Sequence, residues 1–293
     1  MSPYSRREFL KTSLAAGTLA SVSSLPLHAA RGSATDMVPL GNSGTQVTRL
    51  AFGTGSRNGY VQAALGQKEF TRLVRYAYDR GVRFYETAEA YMTPGMLGEA
   101  LKGLPRESYQ LMNKVTTDPG VDPKERFEAM LRTSQTEYFD IMLLHWQHTP
   151  DWVAKTARWQ DGVLEAQSKK MIRSRGASVH GLPALRQMPG NKWLQVAMIR
   201  MNHTGVHMDG QVPDDGRLGD VHEVVEHVRQ VKQQGMGVVS MKLVGEGSFV
   251  RHEDRQAAMR FAFHNAGVDC VTVGFKNTQE IDEAIDNLNT ALA

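Results

Sequence analysis

The chain has 293 residues, 41% of them apolar and 22% charged, enough to bury a full-sized core as one large domain or two small ones. The net charge is +3, and within residues 1–30 Arg6, Arg7 and Lys11 outnumber Glu8; the near-neutral remainder gives no electrostatic basis for nucleic acid as a partner. Cys270 is the single cysteine, which excludes an internal disulfide and a thiolate metal cluster, and its setting in "VDCVTVGF" reads as a buried, inert thiol.

In chain order, the first element is an address. "SRREFLK" (5–11) precedes "TSLAAGTLASVSSLPLHAA", the charged, apolar and small-residue layout of a cleavable export signal. The motif S-R-R-x-F-L-K closely resembles the twin-arginine signal. It implies recognition by the twin-arginine translocase, cleavage near Ala29 or Ala30, and a periplasmic destination for a chain exported folded. The run is short and rich in Ser, Thr and Gly, so no spanning helix and no stable membrane anchor are expected. Residues 1–30 are therefore read as the signal and 31–293 as the mature domain.

A hairpin follows, "MVPLG" and "TQVTRL" around the turn "NSG". Eight strand candidates come next: "RLAFGTG", "VRFYET", "YQLMNKV", "DIMLLHW", "MIRSRGAS", "WLQVAMIRMN", "GVVSMKLV" and "VDCVTVGF". Helical patterns between them include Phe70–Arg80, Lys124–Thr136, Val221–Gln234, Arg255–Asn265 and Thr278–Leu292, with Gly81, Gly235 and Gly267 where C-caps belong. The fifth unit, "GLPALRQMPG", allows only a short helix. Strands alternating with helices specify a parallel sheet, and eight uninterrupted units favour a closed (β/α)8 barrel, a TIM barrel, over an open doubly wound sheet.

Barrel chemistry sits at the C-terminal strand ends. The second, third and fourth strands end at Glu86, Lys114 and His145, with Tyr91 one loop beyond. An acid, a cation and an imidazole on three neighbouring strands form a catalytic cluster more readily than three unrelated solvated or core residues do.

These segments resemble the aldo-keto reductase family, barrel enzymes dependent on NADPH or NADH. "PLGNSGTQVTRLAFGTG", "GVRFYETAEAYMTPGMLGEALKG", "LMNKVT", "FDIMLLHW", "IRSRGASVHG" and "VGFKNTQEIDEAIDN" carry the likeness over residues 37–293. The resemblance implies Tyr91 as proton donor, Lys114 as its activator, His145 as the group orienting the substrate carbonyl, and Glu86 where the family has aspartate. An ammonium beside a tyrosine is expected to lower a phenol pKa of ~10. The resemblance further implies cofactor contacts from Gly53 and Thr54 on the first strand, Ser178, Met198, Met241, Lys242, Leu243, Gly245, Lys276 and Asn277. Tyr60 and Trp146 are the expected substrate contacts.

Departures from the family pattern accompany the likeness. Glu86 is one methylene longer than aspartate, Val179 replaces a frequent asparagine, Met198 stands near the glutamine of the nicotinamide clamp, and Met241 replaces a stacking tyrosine. Lys242 is expected to reach cofactor phosphate or to snorkel from the rim, and Lys276 leans towards NADPH. Glu89 reads as a helix-start carboxylate. His145 and His148 form an H-x-x-H with no carboxylate at metal spacing, so no metal is expected. The expected activity is hydride exchange between a small-molecule carbonyl and an alcohol. The alternative is a barrel of the same fold, without turnover, that binds a ligand or partner in the periplasm.

Overall fold

A computed structural model describes residues 32–208, 210–212 and 215–293; the expected export signal and its cleavage site lie outside the described residues. The hairpin pairs β1 (Met37–Pro39) with β2 (Gln46–Thr48) in antiparallel register. Eight parallel strands then close a barrel: β3 (Leu50–Gly53), β4 (Phe84–Glu86), β5 (Gln110–Val115), β6 (Phe139–Gln147), β7 (Ile172–Val179), β8 (Val196–Arg200), β9 (Gly237–Met241) and β10 (Cys270–Gly274), with β10 pairing back onto β3. The TIM barrel expected from eight alternating units is the fold observed.

Strand alternation explains its two apolar layers. Ala51, Phe84, Met112, Ile141, Leu143, Val196, Met198, Val239 and Cys270 fill the interior, where Leu40 and Val47 of the hairpin segment join them. Their strand neighbours Phe52, Tyr85, Leu111, Met142, Leu144, Ala197 and Val271 pack outward beneath the helices. Met198 and Met201 fall in different layers, as a three-residue offset on an extended chain requires.

The main helix after each strand is, in order, α1 (Gly66–Asp79), α2 (Pro94–Leu101), α3 (Pro123–Thr133), α4 (Ala157–Ser168), α5 (Leu182–Leu185), α6 (Val221–Gln233), α7 (His252–Arg260) and α8 (Thr278–Leu292), with single-turn helices Tyr60–Ala63 and Trp152–Lys155 preceding α1 and α4. α5 is as short as "GLPALRQMPG" requires. Asp122 and Asp220 cap α3 and α6 by accepting from backbone N–H groups of the first turn. Gly81 and Gly235 follow α1 and α6, and Gly267 ends the π-helical segment Phe261–Ala266 that continues α7, with φ of 94°, 82° and 73°, the left-handed turn-off that favours a residue without Cβ.

Two elements run past their expected ends, and the difference bears on the site. β5 continues to Val115, and β6 continues through His145 to Gln147 with a register shift between Leu144 and Gln147. At that irregularity Trp146 takes φ 55°. The break turns the His145–Trp146 pair out of the ladder and towards the barrel mouth.

Candidate active site

Glu86 ends β4 and Lys114 stands on β5, and the two form a buried ion pair, 3% and 0% exposed. The Lys114 ammonium also donates to the Thr87 carbonyl at 2.9 Å. Thr272 of β10 donates to the second Glu86 oxygen, Oε2, at 3.3 Å. The longer side chain fits because its neighbour across the sheet is Gly53, where a Cβ would stand 3.2 Å from Oε2 and 2.6 Å from the Thr272 hydroxyl. An expected mismatch of length is thus absorbed by a bare backbone position and a threonine on the last strand.

Tyr91 lies over this pair, with the Lys114 ammonium 4.7 Å from its ring centroid. The ring rests on Gly55, where a Cβ would be 2.4–2.6 Å from its edge and hydroxyl. His145 meets Tyr91 edge-to-face at 5.6 Å. Tyr91, Glu86, Lys114 and His145 are therefore gathered at the mouth, from three consecutive strand ends.

The electrostatics correct one expectation. Burial, and then the Glu86 carboxylate, push the Tyr91 phenol well above its ordinary value. The net shift is upward, opposite in sign to the lowering expected from a neighbouring lysine. Burial pushes Lys114 down while Glu86 opposes the shift. His145 is driven well below its ordinary value by burial and by the Lys114 and Lys242 charges. At neutral pH the mouth holds a phenol O–H and a neutral imidazole. His180 behaves as His145 does, mainly through burial. In both cases the unfolded chain binds protons that the folded chain refuses, so stability is full above the unfolded value of about 6.5 and falls as pH drops through it. The urea midpoint is expected to fall as pH is lowered below that value; replacing both histidines removes much of this dependence.

From Tyr91 a channel runs along the mouth past Met198, Met241, Lys242, Leu243 and Gly53. It shares Ser56, Val244, Glu246 and Gly274 with a 620 Å³ groove that ends at Arg57, Arg255 and Lys276. An apolar end, a middle of bare backbone and a far end where Arg255 and Lys276 pair with Glu283 and Glu280 offer a dinucleotide an elongated site with both apolar and polar contacts. Gly274 is part of the fit, since a Cβ there would stand 2.3 Å from the Ser56 hydroxyl. Among the described residues no cluster of His, Cys, Asp and Glu suited to a metal occurs, and no helix is long and apolar enough to cross a membrane.

The sequence profile of the Aldo/keto reductase family matches residues 49–259. The chain belongs to the aldo/keto reductase family. Methylglyoxal reductase DkgA from Escherichia coli (strain K12) is 29% identical over 123 residues, 40% of this chain and 44% of that protein. The chain thus matches less than half the length of the curated relative. An aldo-keto reductase from Bacillus halodurans, solved in its holo form, has a TM-score of 0.69 at 18% identity, covering 86% of this chain and 90% of that one. An aldo/keto reductase from Klebsiella pneumoniae in complex with NADP and acetate has a TM-score of 0.63 at 17% identity, covering 83% and 87%. These likenesses establish a shared fold.

Within this aldo/keto reductase, several residues sit elsewhere than the sequence predicts. Thr54 is fully buried and bonded to Thr93 at 2.8 Å, so it lines neither cavity. Gly245 faces Val206, Ser248 and Phe249, and it is Gly247 that borders the groove. Asn277 caps α8 by accepting from Glu280 N–H at 2.9 Å. Lys276 lines the groove but pairs with Glu280 at 3.6 Å. Ser178 is buried, its hydroxyl turned to the Met241 sulfur at 4.0 Å, while Val179 packs in the outer layer. Tyr60 is 62% exposed at the start of a short turn of helix and lines neither cavity. Trp146 is half exposed and stacks on His148 at 4.4 Å. Glu89 starts no helix; it accepts from Thr116 N–H at 2.7 Å and pairs with Arg126 at 3.5 Å.

Thr272, Gly55 and Glu246 were not singled out in the sequence. Thr272 and Gly55 act across the barrel closure or through a missing Cβ, and neither leaves a local pattern. Glu246 lies in the "GEG" turn, lines both cavities and pairs with Lys242. A carboxylate here opposes an anionic ligand. Glu246→Gln is expected to tighten NADPH binding by about five-fold, as removing a near-surface like charge does, measured by fluorescence titration at low salt.

Proposed function

We propose that this chain is an exported, NADPH-dependent carbonyl reductase in which Tyr91 is the proton donor. The observation that carries this reading is the convergence of the Tyr91 hydroxyl, the Glu86–Lys114 pair and neutral His145 at one end of a groove of dinucleotide shape. Gly53, Ser56, Met198, Met241 and Leu243 would hold the nicotinamide half, with Lys242 near the phosphates and Arg57, Arg255 and Lys276 at the far end. When bound, the nicotinamide supplies a hydride to the substrate carbonyl carbon. Tyr91, kept protonated by burial and by Glu86, gives its proton to the carbonyl oxygen. The Lys114 ammonium meets the phenolate charge as it develops, which is where its field acts. His145, neutral, donates an N–H that holds the same oxygen in line. The NADP named in the Klebsiella pneumoniae complex supports NADPH over NADH, with Arg57 at the far end as a cation for the 2′-phosphate. The first test is a titration: the protein should quench or shift NADPH emission and respond less to NADH.

Export rests on the twin-arginine motif at residues 5–11, and a cofactor bound before transport suits that route. N-terminal sequencing of the periplasmic protein should begin at Ala30 or Arg31. An uncleaved chain confined to the cytoplasm would sink this part of the proposal.

A second reading, a barrel that binds a ligand or partner without turnover, is favoured by the altered clamp: Ser178 turned to a thioether and methionine at positions 198 and 241. Failure to bind either dinucleotide would select it.

A further inference from the structure

His180 follows β7 and is 8% exposed. Its backbone N–H donates to the Gln147 carbonyl at 2.7 Å, which fixes it beside the irregular end of β6 that carries His145 and Trp146. One ring nitrogen is accounted for: an N–H of the Arg200 guanidinium, from the end of β8, donates to Nδ1. Guanidinium has donors and no acceptor. Nδ1 must therefore present its lone pair, and the single proton of the neutral ring must sit on Nε2. That Nε2 is buried and has no hydrogen-bond partner.

A buried donor without an acceptor is uncommon enough to need an explanation, and its surroundings supply one. The His180 ring stands edge-to-face to His145 at 6.4 Å and to Trp146 at 6.5 Å, while Tyr91 meets His145 at 5.6 Å. The orphan donor is one ring removed from the group assigned to the substrate carbonyl.

We propose, on the basis of the reductase reading above, that His180 is a substrate-binding residue: its Nε2–H receives a second oxygen of the substrate, on the carbon next to the reacting carbonyl. The favoured substrates are then neutral α-oxo carbonyl compounds, vicinal dicarbonyls and α-oxo esters. The adjacent carbon follows from distance, since donors on neighbouring rings, each reaching about 2.9 Å, converge on oxygens a few bonds apart. A neutral oxygen follows from charge: Lys114 and Lys242 are already paired with Glu86 and Glu246, the Arg200 guanidinium is engaged at Nδ1 on the other side of the ring, and His180 is held as a neutral donor. Arg200 is the positioning residue, because its bond to Nδ1 selects the tautomer. An unpaired buried donor also rejects analogues that lack the matching oxygen.

The test uses the full chain with NADPH and three probes: ethyl benzoylformate, propiophenone and free benzoylformate. The readout is the ratio of kcat/KM for the ester to that for the monoketone. His180→Phe should lower this ratio by about ten-fold or more, whereas His180→Gln, which keeps an N–H donor, should hold it within about three-fold. A merely structural role would lower both rates together and leave the ratio unchanged. An unchanged ratio in His180→Phe overturns the inference, as does a preference of the unsubstituted chain for benzoylformate over its ester. Turnover of propiophenone with no such ratio effect leaves the reductase reading standing. Absence of turnover with all three probes, in a chain that binds no NADPH, overturns both.

Discussion

Tyr91→Phe is expected to reduce carbonyl turnover by about 10³-fold, the scale of a lost general acid, and to leave NADPH binding unchanged. The substitution removes one oxygen and keeps the ring. The seat on Gly55 and the edge contact with His145 both survive, so the cavity keeps its shape. Only the O–H that the Glu86 carboxylate and burial keep protonated is lost. Single-turnover oxidation of NADPH, with fluorescence titration beside it, separates chemistry from binding. Turnover within about three-fold of the unsubstituted chain would remove Tyr91 from the proton path.

The second large effect concerns the pair beneath it. Lys114→Met strands the Glu86 carboxylate, 3% exposed, without its cation, and is expected to cost about 3–5 kcal/mol of stability as well as activity. The double variant Lys114→Met with Glu86→Gln removes both charges and should recover most of that stability without recovering turnover. Urea unfolding and activity read the two outcomes separately. A double variant as unstable as the single one would show that the ion pair is not what this part of the barrel depends on.

The fold was legible because a parallel barrel writes itself locally. Strands such as β3, β4 and β9 are buried on both faces, so they appear as apolar runs, and capping residues such as Asp122 and Gly235 punctuate the helices. Glu86, Lys114 and His145 were legible for a related reason, because a strand end is a position along the chain and the barrel topology assigns it to one rim. What the sequence hid depends on closure and on absent atoms. Thr272 reaches Glu86 only because β10 pairs with β3, and Gly55 matters through the Cβ it lacks. Thr54 and Asn277 carry suitable side chains, but Thr93 and the first turn of α8 engage them before any ligand can. The rise in the Tyr91 pKa was hidden too, since it comes first from burial and then from the Glu86 carboxylate, and a lysine considered alone gives the opposite sign. His180 and Arg200 lie twenty residues apart, and nothing in either segment announces that they meet.

The central claim is tested most directly by the fate of the hydride. The protein, supplied with 4-deuterated NADPH and ethyl benzoylformate, should yield the hydroxy ester with deuterium on the carbinol carbon, and Tyr91→Phe should bind the same cofactor without forming labelled product. An unlabelled substrate recovered from a protein that leaves NADPH emission unchanged would contradict the account.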